Sequence, residues 1–509
     1  MFATTLICNS SGLDGQSLRQ VSDVDLHTEE TRMSNIPLEE RREAILMKLE
    51  SSDTVRFYRK ARLMMGAATF FDAFDMLSIA YAIPVLMEAW RLSPPEVGVL
   101  ITAGFVGQII GAIMFGAAAE RFGRVKTASI AIAIMAIVGI GCGFAQSYVV
   151  LCTLRFIQGI AIGGQIPVAA TYINEIAVGK KRGKTFLLYE LSFVIGLLVT
   201  ASLASWLVPR FGWRPLFFIG GVPLILSVAM WRILPESPRW LVSRGQYKAA
   251  ENAMRVMTGA KGYSHRERQP REEFFCTRNS KSGIGLLVSR VYRGRTIVVW
   301  VIWAVTGLVN YGVVSWLPTL YRKYYHLSLS DSLYASLIAS FFGLVACLLC
   351  ALSVDVVGRR NCFVVAFMTA AAALGSLWWH ESTNIVFVVV CATVAYAALN
   401  TNALLVYLYT PEIYPTEVRA LGTGVASSIL RICAALGPVI IGNVLPHFGV
   451  SAVFCAFSIV AVCGAVASVF ALETKGQRLE DVESLGVFQT NSLALSEEKD
   501  SFRSQQAKY

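Results

Sequence analysis

Five ionisable side chains stand inside stretches that are otherwise apolar: Asp72, Asp75, Arg155, Glu190 and Arg431. A charge at mid-bilayer costs at least about 2.5–3.5 kcal/mol on insertion scales, so such residues face a bundle interior and seek a partner. Asp72 and Asp75 are three apart and share one helical face. Asp75 lies roughly 20 Å along an outward-running helix and Arg155 roughly 10 Å along an inward-running one, at 1.5 Å per residue. In a hydrocarbon core of about 30 Å those depths coincide, and the two can pair. A carboxylate balanced between a guanidinium and an apolar setting can take up and release a proton when the Arg is drawn away. Asp75 is the candidate coupling carboxylate, with Asp72 beside it. The competing reading is a static ion pair that fixes helix packing.

Arg431 lies about 11 residues into its helix, or roughly 16 Å, with no acidic residue at that depth in the same half. A guanidinium binds carboxylate in a planar fork. Arg431 is therefore a candidate anchor for a substrate carboxylate; its alternative is a pair with Asp72 or Glu190. Glu190 reads either as a second proton site or as an interfacial residue. Gln165, Asn310, Tyr311, Trp316, Tyr396, Asn400, Asn402 and Tyr407 are the polar and aromatic candidates for lining a substrate site. Asn400 and Asn402 carry most weight among them, because a mid-helix amide in an apolar setting needs a hydrogen-bond partner.

These residues need helices to hold them. Of 509 residues, 55% are hydrophobic and only 16% charged, against roughly 25% charged in soluble domains. Twelve stretches are long and apolar enough to cross a bilayer, near 62–89, 97–119, 127–145, 148–172, 185–208, 214–234, 296–321, 331–354, 362–380, 384–409, 420–445 and 450–472. The net charge of +11 is unevenly spread: Arg121, Arg124, Lys126, Lys180, Lys181, Arg182, Lys184 and thirteen Lys and Arg in 235–295 fall in the even-numbered loops. Positive charge marks the cytoplasmic side, so the expectation is an inner (plasma) membrane protein with both termini cytoplasmic, and nucleic acid is excluded as partner. No signal-peptide pattern opens the chain. Met33 offers an alternative start, so residues 1–32 are a segment whose translation an intact mass would decide. The cysteines read as small core residues. Cys347-x-x-Cys350 lies inside a helix without a second pair and is no metal or redox site.

The chain repeats itself. Glu120 to Gly123-Arg124 returns as Asp355 to Gly358-Arg359-Arg360, and Glu175 with Arg182 returns as Glu412 with Arg419, each about 235 residues on. Two six-helix halves in parallel orientation follow, 62–234 and 296–472, flanked by an N-terminal tail (1–61), a linker (235–295) and a C-terminal tail (473–509); the substrate site belongs between the halves. Carboxylates and arginines at the cytoplasmic rim, Glu120, Arg121, Arg124, Glu175, Arg182, Asp355, Arg359, Arg360, Glu412 and Arg419, form a candidate gate whose pairs latch one conformation. Gly107-x-x-x-Gly111 and Gly159-x-x-x-Gly163 permit close helix approach. Gly437-Pro438 is either a flexing point or plain packing.

Taken together, Gly116-x-x-x-Glu120-Arg121-x-Gly123-Arg124, Arg155-x-x-Gln158-Gly159, Pro235-Glu-Ser-Pro-Arg-Trp-Leu241, Asp355-x-x-Gly358-Arg359-Arg360, Pro411-Glu412-x-x-Pro415-Thr416-Glu417-x-Arg419 and Glu473-Thr-Lys-Gly476 resemble the major facilitator superfamily over residues 60–480. They are most similar to its sugar-porter and metabolite–proton symporter branches. The glutamine-rich motifs of sugar porters are missing from the fifth and seventh spans. Instead, Phe71-Asp72-Ala73-Phe74-Asp75 and Asn310-Tyr311-Gly312-Val-Val-Ser-Trp316 resemble the niacin and aromatic-acid symporters, with Ala73 where the aromatic-acid branch has Gly. The resemblance implies an all-α membrane protein of twelve helices, monomeric and without cofactor, that moves a small organic anion with protons. Symport of a neutral sugar or polyol, export, and a non-transporting nutrient sensor are the alternatives. An enzyme is not expected, because no nucleotide loop, metal cluster or nucleophile–base pair is present.

Overall fold

The computed structural model describes residues 55–176, 182–258, 285, 287–289, 292–380, 384–414 and 419–475. Long apolar runs leave the backbone no water to bond with, so each run satisfies its own amides as a helix. The first half contains α1 (Val55–Trp90), α2 (Pro94–Phe122), α3 (Arg124–Gly143), α4 (Tyr148–Ile176), α5 (Arg182–Phe211), and a sixth span split into α6 (Arg214–Ile219) and α7 (Pro223–Ile233). Two short helices follow, α8 (Pro238–Ser243) and α9 (Tyr247–Thr258). The second half contains α10 (Arg293–Lys323), α11 (Leu329–Val357), α12 (Arg359–His380), α13 (Ile385–Ile413) and α14 (Arg419–Val469).

Among the described residues, eleven helical stretches are long and apolar enough to span a membrane. The last has 51 residues. A straight helix of that length would reach about 75 Å at 1.5 Å per residue, more than twice the bilayer core. Its backbone leaves helical geometry at Gly449 (φ 74°), so α14 is two crossings end to end, and the total is twelve. The break is not at Gly437-Pro438. A Cβ on Gly437 would press on Leu308 and Gly312 of α10, so that glycine allows α14 to pack closely on α10.

The repeat is visible in the backbone. Arg91 (φ 52°) and His326 (φ 54°) are the two described non-glycine residues with left-handed geometry, and they are 235 positions apart. At α2 the Glu96 carboxylate accepts from the Ser93 N–H at 2.8 Å. At α11, 235 residues on, Ser328 Oγ accepts from the Asp331 N–H at 3.1 Å. Both satisfy first-turn donors that have no partner within the helix.

Within the first half, α2 lies tightly on α4. A Cβ on Gly111 would overlap the Ile160 carbonyl, and one on Gly163 the Gln108 carbonyl, which is the close approach the glycine spacing predicts. Between halves, α14 packs on α2, α11 on α5 and α10 on α1. One apolar core runs through both, from Phe74 and Phe105 to Trp303, Trp316 and Phe367. Polar ties cross from half to half at the end away from the basic loops. Thr102 Oγ1 donates to the Ala435 carbonyl at 2.7 Å, and Arg322 Nη2 lies 3.1 Å from Glu88 Oε1.

Part of the expected linker is docked on the first half. Trp240 Nε1 donates to the Glu120 carbonyl at 2.9 Å, and Arg244 donates to the same oxygen. Ala250, Ala253, Met254 and Met257 bury one face of α9, the i, i+3, i+4, i+7 pattern of an amphipathic helix. The remaining linker to residue 284, the tail to residue 54 with Met33, and the tail from 476 lie outside the described residues.

Candidate functional site

The structure brings Asp75 and Arg155 together. Arg155 Nη1 lies 2.7 Å from Asp75 Oδ2, and both side chains are almost fully buried. The same Nη1 donates to Gln158 Oε1 at 3.0 Å. Gln158 in turn donates Nε2 to the Met135 carbonyl of α3 at 3.4 Å. The guanidinium fits because α2 presents Gly104 to it: a Cβ there would already touch Arg155 Nη2 at 3.5 Å. Gln158 was not among the expected site residues. Its signal was the i, i+3 spacing from Arg155, which puts both on one helical face.

Asp72 is one turn away, 1% exposed. Neither carboxylate oxygen has a hydrogen-bond partner among the described residues. Asp75 and Arg431 of the other half are its electrostatic neighbours. Arg431 is 4% exposed and donates Nη1 to Ser427 Oγ one turn back at 3.3 Å. Among the described residues, neither Asp72 nor Glu190 comes within ion-pair distance of Arg431. The charges of Arg431 and Glu190 both act on Tyr311 and Tyr407. Phe105 of α2 meets Tyr311 edge-on at 5.3 Å, and Trp303 backs Tyr407 at 4.7 Å. Residues from α1, α2, α5, α10, α13 and α14 thus converge between the halves.

Other expected lining residues carry buried polar atoms with no partner among the described residues: both amide atoms of Gln165 and of Asn402, Asn310 Oδ1, and Trp316 Nε1. Asn400 Nδ2 donates to the Tyr396 carbonyl at 3.0 Å, and the Tyr396 hydroxyl lies 3.3 Å from Ser340 Oγ. Tyr81 of α1 faces Ser336, Ser340 and Tyr396. The Ser332, Ser336, Ser340 spacing of four on α11 was the sequence signal for this stripe.

At the basic end each half closes on itself. Arg124 Nη2 lies 3.0 Å from Glu120 Oε1 and 3.1 Å from Glu175 Oε1. In the second half Arg359 Nη2 lies 2.9 Å from Asp355 Oδ1, and Nε lies 3.2 Å from Glu412 Oε2. A third carboxylate completes each cluster. Glu236 accepts from the Arg124 N–H at 2.7 Å, and Glu473 from the Arg359 N–H at 2.9 Å. Burial pushes the Glu236 carboxyl above its ordinary range, against the pull of its backbone N–H donors and Arg124. Gly123 (φ 105°) and Gly358 (φ 94°) make room, since a Cβ at either would overlap that carboxylate. Arg121 and Arg360 have exposed side chains; Arg121 lies over the Phe122 ring at 5.5 Å, and Arg360 offers Glu473 only its backbone N–H, at 3.1 Å. The side chains of Arg182 and Arg419 lie outside the described residues.

A family model described as Sugar (and other) transporter matches residues 57–485. The chain is 29% identical over 441 residues to the niacin transporter NiaP of Acinetobacter baylyi, covering 86% of this chain and 99% of that protein. It is 30% identical over 382 residues to the gallate transporter of Pseudomonas putida, covering 74% and 83%. Its fold matches the proton:xylose symporter XylE of E. coli with a TM-score of 0.66 at 19% identity, over 85% of this chain and 99% of that one. Twelve crossings in two halves, paired clusters at one end and a match over most of the length agree: the chain belongs to the sugar (and other) transporter family of the major facilitator superfamily, multi-pass membrane transporters and not enzymes.

Proposed function

We propose that the chain imports a small organic anion, an aromatic or nicotinate-like carboxylate, together with protons by alternating access. The observation that carries this reading is Arg431, buried between the halves with no carboxylate at ion-pair distance among the described residues. A buried guanidinium in that condition suits a ligand carboxylate, held by two parallel N–H donors. Tyr311, Tyr407 and Phe105 supply aromatic faces beside it. Similarity to transporters named for niacin and gallate, both carboxylates on an aromatic ring, supports the same class. Asp75 with Arg155 is the proton-coupling pair, and Asp72 is the second carboxylate of that path. The paired clusters of Arg124 and Arg359 serve as latches at the basic end. By the positive-inside rule that end is cytoplasmic, in the plasma membrane, with both termini on the same side.

The test is uptake into proteoliposomes containing a pH-sensitive dye, with nicotinate, benzoate, gallate and xylose, against protein-free liposomes. The expected result is protein-dependent uptake of an aromatic carboxylate with acidification of the lumen. Xylose uptake without carboxylate uptake would overturn the anion reading. Uptake with no proton movement for any compound would overturn symport.

A further inference from the structure

We infer that Gln158 is a positioning residue that holds Arg155 in place when Asp75 takes up its proton. This rests on the proton-coupled reading above. Arg155 keeps its charge whatever Asp75 does, since a guanidinium is not deprotonated in proteins. It is 5% exposed. Neutralising Asp75 would leave a buried cation without a counter-charge, the costly half of breaking a buried pair.

The geometry supplies a substitute acceptor on the same nitrogen. Nη1 donates both to Asp75 Oδ2 at 2.7 Å and to Gln158 Oε1 at 3.0 Å. Gln158 is 1% exposed, and its amide is oriented from behind. Nε2 is taken by the Met135 carbonyl at 3.4 Å, and Cys142 Sγ approaches Oε1 at 3.7 Å. The carbonyl oxygen therefore faces the guanidinium. Gln158 and Arg155 ride on one helix three residues apart, whereas Asp75 comes from α1. When the charge on Asp75 is cancelled, α1 can part from α4 while Arg155 stays with Gln158. The groups facing Asp75 among the described residues are Arg155 and Gln158 of α4, the Cys142 thiol of α3, and Asp72 on α1 itself.

The test is nicotinate uptake by proteoliposomes across a series of external pH, for wild type, Gln158→Leu and Gln158→Glu. In the Leu variant Arg155 depends on the ionised Asp75 alone; this is expected to outweigh the loss of the Gln158 amide's own contact with Asp75, so protonation is harder and the pH at which uptake is half-maximal falls. In the Glu variant a second carboxylate satisfies Arg155 and repels the charge of Asp75, so the midpoint rises. A merely structural role would lower uptake at every pH without moving the midpoint. Midpoints unchanged in both variants, or moved in the same direction, overturn the inference. Should the Leu variant fail to fold, the near-isosteric Glu variant decides alone, and an unmoved midpoint overturns it. Wild-type uptake without any pH dependence would remove the proton-coupled reading itself, an outcome distinct from a pH-dependent wild type with unmoved variants.

Discussion

Asn310 of α10 stands in the second half where Asp75 of α1 stands in the first, 235 residues earlier. The offset is the one that relates Arg91 to His326 and Arg124 to Arg359. The counterpart of Arg155, at the 237-residue offset of Glu175 and Glu412, is Ala392. The backbone is duplicated, and the buried ion pair is not. Asp75→Asn is therefore expected to make the first half resemble the second. Proton-driven uptake should fall at least tenfold, or about 1.4 kcal/mol, while substrate exchange at equal pH persists. Measured uptake within twofold of wild type would remove Asp75 as the coupling group.

Arg431 tests the substrate. Lysine keeps the charge but loses the planar fork, so Arg431→Lys should raise the KM for an aromatic carboxylate at least tenfold. Initial rates over a range of concentrations would show it. Normal uptake of an anionic substrate by this variant would exclude the anchor.

The positive-φ glycines at the basic end give a stability prediction with a built-in control. Gly123→Ala and Gly358→Ala each force a strained backbone and press a methyl group on Glu236 or Glu473. Each should cost on the order of 1–3 kcal/mol. Gly116→Ala faces open space in α2 and should stabilise by roughly 0.5–1 kcal/mol. Thermal unfolding in detergent would rank them, and a Gly123→Ala protein as stable as Gly116→Ala would contradict the structure.

The opposite end is held more by packing than by charge. Glu88 and Arg322 are 56% and 33% exposed as side chains, and such a pair is worth at most about 1 kcal/mol. Glu88→Gln should leave uptake within about fivefold of wild type. Gly442→Leu should be far worse, since a Cβ at Gly442 would already meet the Pro94 carbonyl of α2. Uptake rates of the two variants side by side check the ranking.

The chain's own residues fixed the helices, the two halves and the depths of the buried charges. Hydrophobic length and charge asymmetry are local properties, and a repeat offset needs no coordinates. The meeting of Asp75 with Arg155 was legible because depth along a helix follows from residue count. The break at Gly449 was also legible, as a boundary between two apolar runs. The sequence could not say which atom of Arg155 is shared, that Gln158 shares it, or that Arg431 faces Asp72 without an ion pair. Nor did it show that Glu236 and Glu473 close the two end clusters, or that the Tyr396 hydroxyl meets Ser340 of α11. Those facts depend on how helices rotate about their axes and which of them touch across the halves. Packing of whole faces decides that, and residue spacing along one helix does not contain it.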